Sequence, residues 1–374
     1  MRFNEPLNKK MLGEVDYGIF YSLFLLLAIG IVMIYSASSF YAMFKYKNSM
    51  YYLIRQGAFA VIGIIALVMM MKFDYHKLKK ITPYLLICTI PLLIAVFFFP
   101  EVNGARRWIK LGILSFQPSE LTKYVVVMFL AMSIDLKGDR IKRFWDGLVP
   151  YLAVAGFFAA MILAEKNMSI ATIIMIVTFI MLFVAGGQIK HLFGIIFPAM
   201  FSLAIFFIFS SDYRRARMLN FIDPWKDAAG DGYQLIQSFY ALGAGGITGL
   251  GLGESRQKIL YMPEPHNDFI FSIVGEELGL VGCLFIIGLF LFLIWRGIRV
   301  AMKAKDTYGK LLAVGITSII AVQAIINIAV VTGSMPVTGV PMPFISYGGT
   351  SLVINLMAMG ILLNISSQIE KSVT

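Results

Sequence analysis

The sequence predicts an all-α polytopic membrane protein of about ten transmembrane helices, with one large extracellular loop between spans seven and eight. Three observations carry that expectation. Hydrophobic residues fill 59% of the 374 positions and charged residues only 14%, with a mean hydropathy of +0.80; soluble domains run at roughly 45–50% and about 25%. The apolar residues gather into runs near the ~20 residues that a helix needs to cross the hydrocarbon core. Lys and Arg concentrate in alternate intervals between those runs. This composition excludes a soluble globular enzyme, and the 31 Phe, 17 Tyr and 4 Trp exclude a disordered chain.

The runs fall at 17–36, 53–71, 82–99, 119–134, 148–164, 169–186, 190–209, 268–295, 311–332 and 345–366. The first is longer than the 7–15 apolar residues of a secretory signal and reads as a retained span. The third holds Pro83 and Pro91 and the seventh Pro198; lipid-embedded helices tolerate proline where neighbours satisfy the freed carbonyl. The fourth and fifth begin near Pro118 and Pro150. The two cysteines, Cys88 and Cys283, each lie inside an apolar run, so no disulfide framework is predicted. Residues 1–374 read as a single transmembrane domain, with 210–267 as a loop within it. That loop carries a turn signal at Asp223-Pro224-Trp225. Its glycine-rich stretch 243–253 is either flexible or closely packed backbone.

Orientation follows from the cations. With the N-terminus inside, 18 of the 32 Lys and Arg fall in inner segments and 13 in outer ones, six of the latter in the long loop. Long loops weigh little in the positive-inside rule, so both termini are expected to be cytoplasmic. The net charge of +11 would suggest nucleic acid in a soluble protein. Here most of the excess sets topology, and the smaller outer set suggests an anionic substrate. No G-x-x-x-x-G-K-[ST] run is present, and Gly249-Leu250-Gly251-Leu252-Gly253 follows no strand, so nothing points to a nucleotide.

Charged residues at or inside the bilayer are the informative ones. Arg106 and Arg107 flank Trp108 at the outer interface, with Lys110 close by. They suit a phosphate clamp or, equally, interfacial anchoring by snorkelling side chains. Glu120 and Lys123 lie three apart on one helix face, as a salt-bridged pair or a polar cavity floor. Asp268 sits where the long loop re-enters the membrane, beside Phe269-Ile270-Phe271. Desolvation there raises a carboxyl pKa and prepares a general base; the alternative is a helix N-cap by Asn267 or Asp268. Glu276 and Glu277 point about 100° apart and cannot form a one-face acid/base pair. At least one is expected to pair with a cation on another helix.

Long motifs give these residues a common setting. The runs are Gly104-Ala105-Arg106-Arg107-Trp108; Gln117-Pro118-Ser119-Glu120 to Lys123; Phe221-Ile222-Asp223-Pro224-Trp225; Pro263-Glu264 with His266 and Asp268-Phe269-Ile270-Phe271; and Gly275-Glu276-Glu277. With Asn327 to Pro336, Thr338-Gly339, Pro343-Phe344 and Ser346-Tyr347-Gly348-Gly349, the chain resembles the SEDS family (shape, elongation, division and sporulation proteins), nearer its FtsW/SpoVE branch than its RodA branch. The resemblance implies a ten-span peptidoglycan glycosyltransferase that polymerises lipid II at the outer face of the bacterial cytoplasmic membrane. It implies a class B penicillin-binding protein as transpeptidase partner, other division or sporulation proteins, and no nucleic acid. Asp268 corresponds to the family's proposed catalytic carboxylate. The family's Pro-Asp-x-Gly-Thr before span six is here Lys166-Asn167-Met168-Ser169-Ile170, which shifts weight to Asp268.

The resulting expectation is Asp268 as general base, with Arg106, Arg107, Lys123, Glu120, His266 and Ser346 around the substrate. Glu120 either orients Lys123 or binds a divalent cation (Mg or Mn). Two other classes remain open: a lipid II flippase, and a non-catalytic division scaffold whose Gly275, Gly279 and Gly282 pack a partner helix.

Overall fold

The computed structural model describes residues 14–369 except 102–103, 112–113, 211, 231 and 260. A helix occupies each of the ten expected spans: α1 Tyr17–Tyr46, α2 Tyr51–Lys72, α3 Tyr75–Ala95, α4 Pro118–Lys137, α5 Val149–Ala164, α6 Met168–Val184, α7 Ile189–Phe209, and three more beyond the long loop. Within that loop fold α8 Asp212–Ile222 and α9 Tyr233–Gly245; after it come α10 Ile270–Lys303, α11 Thr307–Val331 and α12 Gly349–Ser367. Eight of the ten are long and apolar enough to cross a membrane. The other two have plain reasons for falling short. α6 has 17 residues, and α4 carries Glu120, Lys123, Asp135 and Lys137 within its turns.

Burial sorts the helices. α4, α11 and α12 form the interior, with buried residues around most of their circumference. α7 is apolar all round yet leaves Phe193, Phe197, Phe201 and Phe206 exposed, the pattern of a helix whose solvent is lipid. Local signals set the helix starts. Asp16 accepts the Ile19 N–H at 3.1 Å, Asn167 caps α6 and Asp306 caps α11 through Gly309 N–H at 2.8 Å.

Polar ties define one end of the bundle. Asp16 pairs with Arg296 at 2.7 Å, its N–H donates to Ser366 Oγ at 3.1 Å, and Tyr75 N–H donates to Asn364 Oδ1 at 3.0 Å. The start of α1 and the end of α12 therefore lie together. The chain ends themselves, expected in the cytoplasm, lie outside the described residues. At the opposite end the long loop meets the segments before α4, between α5 and α6, and between α11 and α12. A short hairpin not expected from the sequence pattern lies there, β1 Ile109–Leu111 pairing antiparallel with β2 Leu114–Phe116.

The glycine-rich stretch is closely packed at Gly245 and Gly249, which lie against the backbone of α10, and open at Gly243, Gly246 and Gly253. α10 is broken at Gly279, whose φ of 66° and ψ of −167° are not helical. Such a break frees carbonyls and N–H groups that lipid cannot satisfy. The loop satisfies them: Leu250 N–H and Gly251 N–H donate to the Glu276 and Glu277 carbonyls, each at 3.0 Å. In return Leu280 N–H and Val281 N–H donate to Gly246 and Ile247 carbonyls at 2.9 and 3.1 Å. A Cβ on Gly279 would strike the Gly249 backbone, and one on Gly275 would strike Leu242. These glycines accommodate the chain's own loop, the internal alternative to a partner helix.

Candidate active site

Asp268 lies in the turn ahead of α10, half-buried. The N-cap of α10 is Phe269, so Asp268 is not the cap, and the Asn267 amide donates instead to Glu264 Oε2 at 2.8 Å. The position of Asp268 is set through its backbone. Asn327, buried on α11, donates from Nδ2 to the Asp268 carbonyl at 2.7 Å and to the Val340 carbonyl at 2.8 Å. One amide thereby ties the turn before α10 to the loop before α12. Tyr347 N–H adds a second tie, to the His266 carbonyl at 2.9 Å. Gly339, at φ +74°, faces the carboxylate, and a Cβ there would lie 3.3 Å from Asp268 Oδ2.

The surroundings of Asp268 push its carboxyl up to about 6. Burial is the largest cause, followed by the charge of Glu264, while Arg217 and Arg107 oppose the rise. The two arginines come from different parts of the chain. Arg107 donates through Nη2 to the Lys166 carbonyl, and Lys166 Nζ returns a bond to the Gly104 carbonyl at 3.0 Å. Arg217, on α8, donates to the Val337 carbonyl at 3.1 Å. Sequence reasoning missed Arg217, although Arg214-Arg215-Ala216-Arg217 is the densest cationic run of the long loop.

The remaining expected residues divide. Arg106 does not join Arg107; it is exposed, donates to the Phe97 carbonyl at 3.0 Å and approaches Glu101 at 3.6 Å. Lys123 is 1% exposed and lies 2.8 Å from Glu120 Oε2 and 3.0 Å from Gln323 Oε1. Ser351 donates to the same Glu120 oxygen at 2.6 Å. The pair is thus an enclosed knot joining α4, α11 and α12, the salt-bridged alternative, and not an open cavity floor. An ammonium occupies the place where a divalent cation would bind Glu120, so this donor set does not fit a metal. Among the described residues no group of three or more His, Cys, Asp or Glu side chains is gathered for one. His266 is buried against Tyr52, Tyr41 and Tyr347, at ring separations of 4.1, 5.7 and 5.6 Å. Burial, with the nearby charge of Lys45, lowers its pKa to about 3, so it is neutral. Ser346 Oγ accepts the Met342 N–H at 2.8 Å and closes the loop before α12.

Glu277 pairs at 2.8 Å with Lys258, from the long loop and not from another helix, and accepts from Ser36 of α1 at 2.7 Å. Glu276 caps the 255–257 turn, accepting from Ser255 Oγ and from Arg256 N–H at 2.9 Å. Their role is to hold the broken region of α10.

Fold and site together define a polytopic membrane protein with one half-buried carboxylate set among cations at one end of its bundle. A family model described as "Cell cycle protein" (FtsW/RodA/SpoVE) matches residues 17–371, and the chain belongs to that family, the SEDS proteins. It is 41% identical to a "Probable peptidoglycan glycosyltransferase FtsW" of Geobacter metallireducens, over 99% of each chain. It is 44% identical to "Stage V sporulation protein E" of Bacillus subtilis, over 91% of this chain and 94% of the relative. Among solved structures it matches a chain of a "peptidoglycan synthase complex" with a TM-score of 0.79 and 28% identity, covering 94% of this chain and 97% of that one.

Proposed function

We propose that the chain is a peptidoglycan glycosyltransferase that polymerises lipid II at the outer face of the bacterial cytoplasmic membrane, in division or sporulation. The observation that carries this reading is Asp268, held by Asn327 and flanked by the charges of Arg107 and Arg217. In glycan polymerisation an acceptor hydroxyl attacks the anomeric carbon of a second sugar. The new C–O bond forms as the old one breaks, and the polyprenyl diphosphate departs with the bonding electrons. Asp268 takes the proton of the attacking hydroxyl, a contribution of about 10²–10⁴-fold for a general base. The leaving group is already an anion and requires positive charge more than a general acid, unlike the two-carboxyl arrangement of glycoside hydrolysis. Arg107 and Arg217 supply that charge, and Arg106 meets the substrate from the exposed rim.

The buried Glu120–Lys123 pair, His266 and Ser346 act on this site through packing. They fix α4, the tyrosine cluster and the loop before α12, each of which borders the substrate. The likeness to a chain of a peptidoglycan synthase complex supports a class B penicillin-binding protein as partner. The closeness of the start of α1 to the end of α12 supports termini on one side, and the cation distribution supports that side being cytoplasmic.

The test is polymerisation of labelled lipid II by the purified complex. Asp268→Ala, folded by thermal unfolding, is expected to lose glycan synthesis; unchanged synthesis sinks the assignment. A liposome accessibility assay on the same preparation separates polymerisation from lipid transport.

A further inference from the structure

Glu165 ends α5 in the turn that leads to α6, and it is 1% exposed. Neither carboxyl oxygen has a hydrogen-bond partner among the described residues. A buried ionised carboxylate without partners is among the most costly groups a protein can hold. The turn around it is not loose. Arg107 binds the Lys166 carbonyl, Lys166 binds the Gly104 carbonyl, and Asn167 Nδ2 reaches Ser119 Oγ at 3.3 Å. Ser169 Oγ bonds the Thr338 carbonyl, beside the Gly339 that faces Asp268. The rigid turn therefore holds an unsatisfied acid against the segment that carries Arg107.

The charged and titratable groups around it can be named. Arg107 comes from the segment before β1 and Lys166 from the turn itself. α4 presents Ser119 and then the mutually paired Glu120 and Lys123. Arg107 also acts on Asp268, together with Glu264 and Arg217. Burial raises the Glu165 carboxyl to about 8, and Arg107 is the charge that opposes the rise. The same guanidinium also acts on Asp268. Arg107 is thus shared between two carboxyls.

We propose that Glu165 is a positioning residue that controls how much of the Arg107 charge is available: as the neutral acid it leaves the guanidinium to an anionic lipid diphosphate, and once ionised it takes that charge itself. The proton it loses goes to water. The identity of the diphosphate rests on the glycosyltransferase reading; the coupling of Glu165 to Arg107 does not. Near neutral pH about nine-tenths of the molecules carry the acid form, and near pH 9 about one-tenth do.

The probe is undecaprenyl diphosphate, bound to the full chain in detergent by a fluorescence titration near pH 7 and near pH 9. The background is Asp268→Asn, which removes the titration of Asp268. Affinity is expected to fall about fivefold or more across this interval, about 1 kcal/mol, when Glu165 is present. In Glu165→Gln, or Glu165→Ala if the first folds poorly, the fall should shrink to less than twofold. An equal fall with and without Glu165 overturns the proposal. So does a lack of binding at both pH values. Polymerisation by the unsubstituted complex is measured in parallel, and its absence would count against the glycosyltransferase reading and leave the pH-dependent binding to be judged separately.

Discussion

Asn327→Leu is the perturbation with the most to say about the site. The two side chains share the same heavy-atom branching, so the change removes hydrogen bonds without opening a cavity. Two carbonyls, of part-buried Asp268 and buried Val340, lose the single amide that serves them at 2.7 and 2.8 Å. An unsatisfied buried acceptor costs about 1–3 kcal/mol, so two cost roughly 2–6. One offset applies: Asn327 Oδ1 is itself buried without a partner, and its removal returns about 1–3 kcal/mol. The net loss is about 2 kcal/mol, a fall in Tm of roughly 4–8 °C at 2–4 °C per kcal/mol. The functional effect is larger. Asp268 loses its fixed position, and a displacement near 1 Å costs about 10²-fold in rate. Glycan synthesis by the purified complex should show that loss in kcat, with KM changed far less because Arg107 and Arg217 remain. A folded Asn327→Leu protein with kcat within about twofold of the parent would refute the idea that this amide sets the base.

Two further outcomes follow from the same geometry. On the general-base reading Asp268 acts ionised with its carboxyl near 6, so kcat/KM should rise with pH up to about 6, level off, and fall again as Glu165 ionises near 8; Glu264→Gln should move the rising limb to lower pH and Arg217→Gln to higher pH, and a limb indifferent to both would refute the assignment. Lys258→Met leaves the Glu277 carboxylate buried with only its Ser36 partner, which should cost about 3–5 kcal/mol, whereas Lys258→Met with Glu277→Gln should recover most of it; thermal unfolding in detergent decides, and a single variant as stable as the double one contradicts the pairing.

The helices were legible because lipid imposes a simple rule, about 20 apolar residues between charged intervals. Even the shortfalls of α4 and α6 can be read from the acids and lysines of one and the length of the other. Asp268 was legible as a carboxylate at the membrane boundary. What sequence could not supply was side-chain direction. Arg106 and Arg107 are neighbours, and neighbours in an extended segment point apart; only Arg107 turns toward Asp268. Arg217 lay hidden among three arginines of a long loop, with nothing local to choose between them. Glu165 gave no pattern at all, since its distinction is the absence of partners. The Gly279 break read as a small-residue stripe because positive φ leaves no mark beyond the glycine itself.

The bond from Ser36 to Glu277 joins residues 241 positions apart. α1 leaves the ribosome long before α10 exists, so its serine waits unpaired while seven further hydrophobic segments are inserted. The loop that fills the break in α10 is also made before the helix it completes. Contacts of such sequence separation form late and slowly. The end of the bundle where the acid and its arginines meet is therefore the last part to assemble. Until then Ser36 of α1 has no Glu277 to donate to.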